Sequence, residues 1–495
     1  MDSVSMKSII AISLHLLLMT DFVMAETQNP PPQAEASSKP NIIVIMADDL
    51  GYNDLGSYGC KDIPTPHLDK LASDGVRFTS GYVTWPMCGP SRAGFLTGKQ
   101  QSKFGYYENV SAPFDPKQGL PKIETIASLL KKQGYVTGGV GKWHMGTTND
   151  QHPNAMGFDD WFGFLGGGLM YFPLDHPSYK GRFAPIKRPL NMKYLQHTMP
   201  VIHNREPVEW KQYLTRELTD AGIRFLEKKR KEPFFLFMSY NAPHLDLEAP
   251  EETIAKFPPE KMSKIPGVKP ADRSVYAAMV WEMDQGIGQL LAKLDELELS
   301  ENTVVWFLSD NGGMRKTSDN RPLRGTKGAP HEGGIRVPMF VRWPGKAQPG
   351  KVLEDPVTSL DITATSIAMA GGDPQAAKLH GKDIRPYLTE QTKEPPHRTL
   401  YWHTARGPAP EGVIRDGDFK LIIGKKSVEL YNLKEDLGET KNLAAEYPEK
   451  VQAMKARWLE WDKDKAPPLW TGDKNIQYAD YDWLKGSPHY RDGSE

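Results

Sequence analysis

Cysteine is scarce in this chain. Its 495 residues contain only Cys60 and Cys88, so at most one disulfide can form. An excess of charge of one sign is also missing. Lys and Arg number 61 against 62 Asp and Glu, a formal net charge of -1. The missing surplus of positive charge to displace counterions argues against bulk electrostatic capture of nucleic acid, though not against a locally basic pocket. No apolar run is long enough for a permanent membrane anchor. The N-terminal stretch Ile9 to Leu18 is broken by Ser13 and His15, follows Lys7 and precedes Val23-Met24-Ala25. That layout is an export signal, so the mature chain is expected to start at Glu26 and to reach the periplasm or the medium. No cysteine lies near that cleavage site to carry a lipid. No internal repeat is visible.

What is present is an alternation of strand-like and helical patterns. Asn41–Asp48 (NIIVIMAD) is a short β-branched run of the kind buried on both sheet faces. Helical periods follow at about 66–74, 90–97 and 123–133, the last ended by Gly134, and then an extended Tyr135–Lys142. A helix at about 214–230 leads into Phe234–Tyr240, and one at about 272–297 into Thr303–Asp310. Val337–Trp343 reads as a further strand and Leu360–Ala370 as a helix. This order predicts an α/β fold, a large mostly parallel sheet sandwiched by helices, with ligands at the carboxyl ends of its strands. Near residue 385 the pattern changes to short strands at Thr399–His403, Gly412–Arg415, Phe419–Ile423 and Ser427–Asn432, then a helix at about 447–461. The expected division is a signal at 1–25, a disordered leader at 26–39, a catalytic α/β domain at 40–384, a C-terminal α+β subdomain with a small antiparallel sheet at 385–463, and a tail at 464–495.

Chemistry concentrates in Cys88-Gly89-Pro90-Ser91-Arg92, continued by Leu96-Thr97-Gly98. Pro90 suits a first helical turn, so Cys88 is expected at a helix N-terminus, where free N–H groups and the macrodipole favour anions. Arg92, four residues on, shares a face with it. Asp48 and Asp49 end one strand, and Asp310 and Asn311 end another before Gly312-Gly313. Neighbouring strand side chains face opposite ways, so each pair converges only where the pleat ends. Four oxygen donors without histidine suit a hard cation, Ca2+ or Mg2+, better than zinc. In Gly141-Lys142-Trp143-His144-Met145-Gly146, Lys142 and His144 share a face of an extended segment. His244 lies in the loop beyond a strand, and Lys327 in Leu323-Arg324-Gly325-Thr326-Lys327 ahead of Glu332-Gly333-Gly334-Ile335-Arg336.

The pattern C-x-P-S-R-x-x-x-L-T-G resembles the signature of the type I sulfatases, which have an alkaline-phosphatase-like fold. G-K-W-H-x-G and the motif around Lys327 resemble two more of that family's motifs, in its order, over roughly residues 40–460. The phrases VIRDGDFKLI and ELYNLKEDLGETKNLA look like the family's C-terminal subdomain. The resemblance implies a sulfuric ester hydrolase in which Cys88 is oxidised to formylglycine by a maturation enzyme, and whose hydrated aldehyde attacks sulfur. It implies one cation, usually calcium, held by Asp48, Asp49, Asp310, Asn311 and residue 88. It gives Arg92, Lys142 and Lys327 the sulfate to hold, His244 the proton for the leaving group, and His144 the role of base that expels sulfate. A disulfide would consume the sulfur this chemistry needs, so none is expected. Ser91, Thr97, His331 and Arg336 are read as structural, and Cys60 has no assigned role.

Substrate identity is expected in the segments between core elements. Residues 165–212 mix aromatics (Tyr171, Phe172, Tyr179, Tyr194) with bases and histidines, and 315–324 add further bases. His176, Arg182, His197, Arg315 and Arg324 are the candidate contacts to a sulfated poly- or oligosaccharide. Two other readings fit the same residues: a formylglycine-dependent phosphodiesterase or phosphonate hydrolase, and a catalytically silent glycan-binding protein.

Overall fold

The computed structural model describes residues 39–110, 117–173, 176–177, 200–228, 230–405 and 411–470. The expected signal and leader therefore lie outside the described residues, as does most of the tail. A ten-stranded sheet runs through the molecule in the order β11-β2-β10-β9-β1-β8-β4-β5-β6-β7. Its centre comprises β1 (Asn41–Ala47), β4 (Val136–Lys142), β5 (Asp160–Phe164), β8 (Phe234–Ser239) and β9 (Thr303–Ser309). These five are mutually parallel. Antiparallel pairing enters where β10 (Met339–Arg342) meets β9 and β2 (Val76–Phe78), and again beyond β5 at β6 (Ile202–His203) and β7 (Glu206–Pro207). β11 (Lys351–Leu353) closes one edge beside β2, and β3 (Gly81–Tyr82) pairs in parallel with β12 (Val357–Thr358) as a separate two-stranded sheet. The order of strands and helices is as the sequence leads one to expect, with β5 the main strand it does not announce.

Burial on both faces explains why the central strands are apolar without alternation. In β1, Ile42, Val44 and Met46 enter one core, and Ile43, Ile45 and Ala47 the other. The helices are α1 (Pro66–Ser73), α2 (Cys88–Thr97), α3 (Ile126–Lys132), α4 (Leu214–Glu227), α5 (Pro270–Glu296) and α6 (Ser359–Met369). α2, α3 and α6 pack together on one side, and α1, α4 and α5 on the other. A separate antiparallel sheet follows, of β13 (Thr399–His403), β14 (Gly412–Asp416), β15 (Phe419–Ile423) and β16 (Val428–Asn432). Its two faces divide by the period of two. Leu421 and Ile423 pack on α7 (Pro448–Asp462), while Ile422 joins Tyr82 and Ile335 from the large domain. Among the described residues no helix is long and apolar enough to cross a membrane.

Candidate active site

Asp48, Asp310, Lys142 and Ser239 all stand at the carboxyl ends of adjacent parallel strands, the position where open α/β sheets bind ligands. The pleat breaks at the next residue. Asp49 adopts φ 63°, a left-handed conformation uncommon for a side chain with a Cβ, and its N–H donates to Asp310 Oδ1 at 3.2 Å. Two consecutive carboxylates thereby reach one point. His144 repeats the device with φ 63° beyond β4, and its N–H donates to Leu165 O. Such strained non-glycine residues recur at functional sites.

α2 brings Cys88 to the same point. Met87 is extended (φ -142°), and the helix begins at Cys88 with Pro90 in its first turn. The thiol is buried, 3.6 Å from Asp48 Oδ1, 4.0 Å from Asp49 Oδ1 and 3.0 Å from Lys327 Nζ. Candidate ligand atoms of Asp48, Asp49, Cys88 and Asp310 all lie within 4.8 Å of one another. Asn311 donates its Nδ2 to Asp49 Oδ1 at 2.7 Å. Its Oδ1 is buried with no hydrogen-bond partner among the described residues. A buried, unpartnered oxygen acceptor on a residue that contacts Asp49 fits a hard cation held by the carboxylate cluster, since an unpartnered buried polar atom is otherwise costly.

Three cations neutralise the carboxylates. Lys142 Nζ donates to Asp48 Oδ2 at 2.5 Å, and Lys327 Nζ sits 2.7 Å from Asp49 Oδ1. Arg92 Nε donates to Asp310 Oδ2 at 2.8 Å and its Nη1 to Ser239 Oγ at 2.6 Å, which leaves Nη2 3.7 Å from Asp48. Burial would raise Asp48, but Lys142, His244 and Arg92 hold it well below the usual carboxylate range. Asp310 goes the other way. Burial and the neighbouring Asp48 push it up, against the pull of Arg92 and Lys142. Burial also pushes the Cys88 thiol up to about 12, so it is neutral in this setting. His144 is driven well below its ordinary value by burial, then by Lys142 and Arg92, and neither ring nitrogen has a partner among the described residues. His244 is lowered as well, chiefly by burial. Its Nε2 lies 3.7 Å from Asp49 Oδ2 and its Nδ1 2.5 Å from Leu245 O.

The cluster therefore assembles Asp48, Asp49, Asp310, Asn311, Cys88, Arg92, Lys142 and Lys327, with His144 and His244 beside it. The substrate candidates are spread more widely. Arg315 is exposed on the loop after Asn311. His176 stacks on Phe172, ring centroids 4.7 Å apart. The Arg324 guanidinium is engaged by Tyr431 Oη and Glu439 O, and Arg182 and His197 lie outside the described residues. Tyr171 and Phe172 are buried against Tyr213, so they build core instead of an aromatic subsite. Tyr171 has a different use: its hydroxyl is 2.8 Å from Asn241 O and 2.9 Å from His244 O, bracing the His244 loop. Neither that contact nor Ser239 has a sequence signal, because each depends on chain segments far apart.

The readings of Thr97, His331 and Arg336 agree with what they touch. Thr97 donates to Ala93 O, His331 meets Glu429, and Arg336 donates to Thr79 O and Glu332. Cys60 is a buried free thiol 3.2 Å from Asp62 Oδ1. Gly141 shows how closely β4 and β8 approach. It has φ +104°, and an added Cβ would stand 1.9 Å from Ser239 O. Gly141→Ala is expected to destabilise the protein by more than about 2 kcal/mol, read as a lowered denaturant midpoint. A midpoint like that of the parent would show that Lys142 and Ser239 are held less tightly than this contact requires.

Comparison with known proteins bears on what the cluster does. The family model described as Sulfatase matches residues 40–372, and that described as N-sulphoglucosamine sulphohydrolase, C-terminal, matches 327–464. The steryl-sulfatase of Mus musculus is 33% identical over 77% of this chain and 70% of its own. The N-acetylgalactosamine-6-sulfatase of Canis lupus familiaris is 32% identical over 72% of this chain and 67% of its own. Among solved structures, Ps i-CgsB in complex with k-i-k-neocarrahexaose is similar with a TM-score of 0.79 at 36% identity. The match covers 88% of this chain and 96% of that one.

Proposed function

The chain belongs to the sulfatase family and is a sulfuric ester hydrolase, and from that premise we propose that it removes sulfate from a sulfated poly- or oligosaccharide at Cys88. The observation that carries the site is the convergence of Cys88, three strand-end aspartates, the buried Arg92 and Lys142, and the half-buried Lys327 on one point. The carbohydrate reading rests on Ps i-CgsB, which shares 36% of its residues and holds k-i-k-neocarrahexaose, and on the N-acetylgalactosamine-6-sulfatase.

Formylglycine made from Cys88 by a maturation enzyme would supply, as its hydrate, the nucleophile that a neutral buried thiol does not. Ca2+ (or Mg2+) held by Asp48, Asp49, Asp310 and Asn311 beside residue 88 would polarise a sulfate oxygen. Lys142 and Lys327 turn compact positive charge toward the position sulfate takes, where charge develops in a dry site and each such contact is worth several kcal/mol. Arg92 adds its charge while its Nε and Nη1 fix Asp310 and Ser239. His244, at the edge with a side chain 15% exposed, is placed to protonate the departing sugar oxygen. His144, neutral and with both nitrogens uncommitted, is suited to accept a proton from residue 88. Arg315, Arg324, His176, Arg182 and His197 are the proposed substrate contacts, Arg324 through nitrogens other than the Nη1 that Tyr431 and Glu439 hold. The division at residue 384, the cleaved signal, export to the periplasm or medium, and the absence of nucleic-acid partners and of a membrane anchor complete the proposal.

The test is sulfate release by matured protein with calcium from a panel of sulfated oligosaccharides, a neocarrahexaose among them, with an aryl sulfate and a phosphodiester alongside. Release from an oligosaccharide, lost in Cys88→Ala, is expected. Faster turnover of the phosphodiester would move the substrate class, and silence with position 88 shown to be oxidised would favour a binding role.

A further inference from the structure

Lys327 lies on an irregular segment, so something outside it must hold its amine against Asp49 and Cys88. The backbone gives part of the answer. Lys327 N–H donates to Gly313 O at 3.1 Å, Gly328 N–H to Pro86 O at 2.7 Å, and Gly333 N–H closes the segment on Arg324 O at 2.7 Å. The two ends of the segment are tied to the small C-terminal sheet and to the loop that follows it. At one end, Arg324 Nη1 donates to Tyr431 Oη at 2.7 Å and Glu439 O at 2.9 Å. At the other, Glu332 N–H donates to Glu439 Oε2 at 2.8 Å. Lys420, on β15, joins them. Its Nζ is 2.9 Å from Glu332 Oε1 and 2.8 Å from Glu439 Oε1, and all three residues are fully buried. Lys420 shares a strand face with Ile422, the face that packs on the large domain.

We propose that Lys420 is a positioning residue for the sulfate site: by cross-linking Glu332 and Glu439 it holds the Arg324–Glu332 segment so that Lys327 reaches Cys88. The inference rests on the reading that Lys327 holds sulfate. A buried lysine bridging two carboxylates is a poor device for stability alone, since well-packed apolar residues often serve as well. Its geometry ties the small sheet to the turn that begins at Glu332 and to the loop that holds Glu439, and the segment so fixed is the one that carries Lys327. The C-terminal sheet is thus part of the machinery that shapes the site.

A double-mutant cycle separates positioning from general structure. Lys420→Met is expected to lower kcat/KM for an aryl sulfate by about 10- to 100-fold in the parent, but by less than about 3-fold in a Lys327→Ala background. A structural role alone would give the same factor in both, and that result would overturn the proposal. Glu439→Gln keeps the acceptor for Glu332 N–H while removing one charge, and it carries the cycle if Lys420→Met does not fold. It is expected to show the same non-additivity with a smaller factor, and full activity would equally overturn the proposal. Should Lys327→Ala itself leave kcat/KM unchanged, the reading of Lys327 fails first, and the inference with it.

Discussion

Cys88→Ala should lose turnover by at least about 10^4-fold while the protein keeps its fold, the scale on which removal of an enzymic nucleophile acts. Two observations support the second half. The thiol is held neutral by burial, so its replacement leaves the charge of the cluster unchanged. Relative to the unmatured chain only Sγ is removed, from a site whose other groups are tied to one another without it: Lys327 to Asp49, Lys142 to Asp48, Arg92 to Asp310. The stability change is expected near 1 kcal/mol, small beside the catalytic loss. Aryl sulfate hydrolysis and a thermal melt on the same preparation check both halves. Turnover near the parent rate in Cys88→Ala, with the substitution verified by mass spectrometry, would remove Cys88 from the reaction.

Much of this site was readable in the chain because its parts sit at ends of regular elements. Asp48 and Asp49 close an apolar run buried on both faces, Asp310 and Asn311 close another, and Lys142 closes a third. In a parallel sheet such ends meet on one edge, so linear position translates into spatial convergence. Pro90 marks the start of α2 in the same way. What stayed hidden depends on long-range pairing. Ser239 is one serine among many until β8 places it 2.6 Å from Arg92. Tyr171 and Phe172 look like an exposed aromatic subsite, yet they are core residues packed on α4's entry at Tyr213. Arg324 is legible as a base near the site, but the pairing of its Nη1 with Tyr431 and Glu439, more than a hundred residues away in sequence, is not. Lys420 carries no local signal at all, because a lysine within a strand ordinarily points to water.

Removing the divalent cation should have the second large effect, and it can be read without following turnover. Asp48, Asp49 and Asp310 bring three carboxylates into a space where ligand atoms lie within 4.8 Å of one another, with Asn311 Oδ1 unpartnered beside them. Burial and Asp48 push Asp310 up, a sign that negative charge is crowded there despite Arg92 and Lys142. A cation relieves that crowding in the folded state and has no comparable site in the unfolded chain, so binding is linked to stability. Calcium at a hundred times its dissociation constant should contribute about 2.7 kcal/mol and raise the melting temperature. The donor set is oxygen from carboxylates and an amide, so calcium and magnesium should act and zinc should not reproduce the shift. Chelation should reverse it and lower turnover by about 10^2-fold or more, as loss of a Lewis acid at a sulfate oxygen would. Asp310→Asn serves as the control. It removes one ligand charge and the partner of Arg92 Nε together, so the calcium-dependent shift should vanish even if the variant melts lower than the parent. A melting temperature indifferent to calcium would exclude the strand-end carboxylates as a cation site. A shift that survived in Asp310→Asn would place the bound cation somewhere else on the chain.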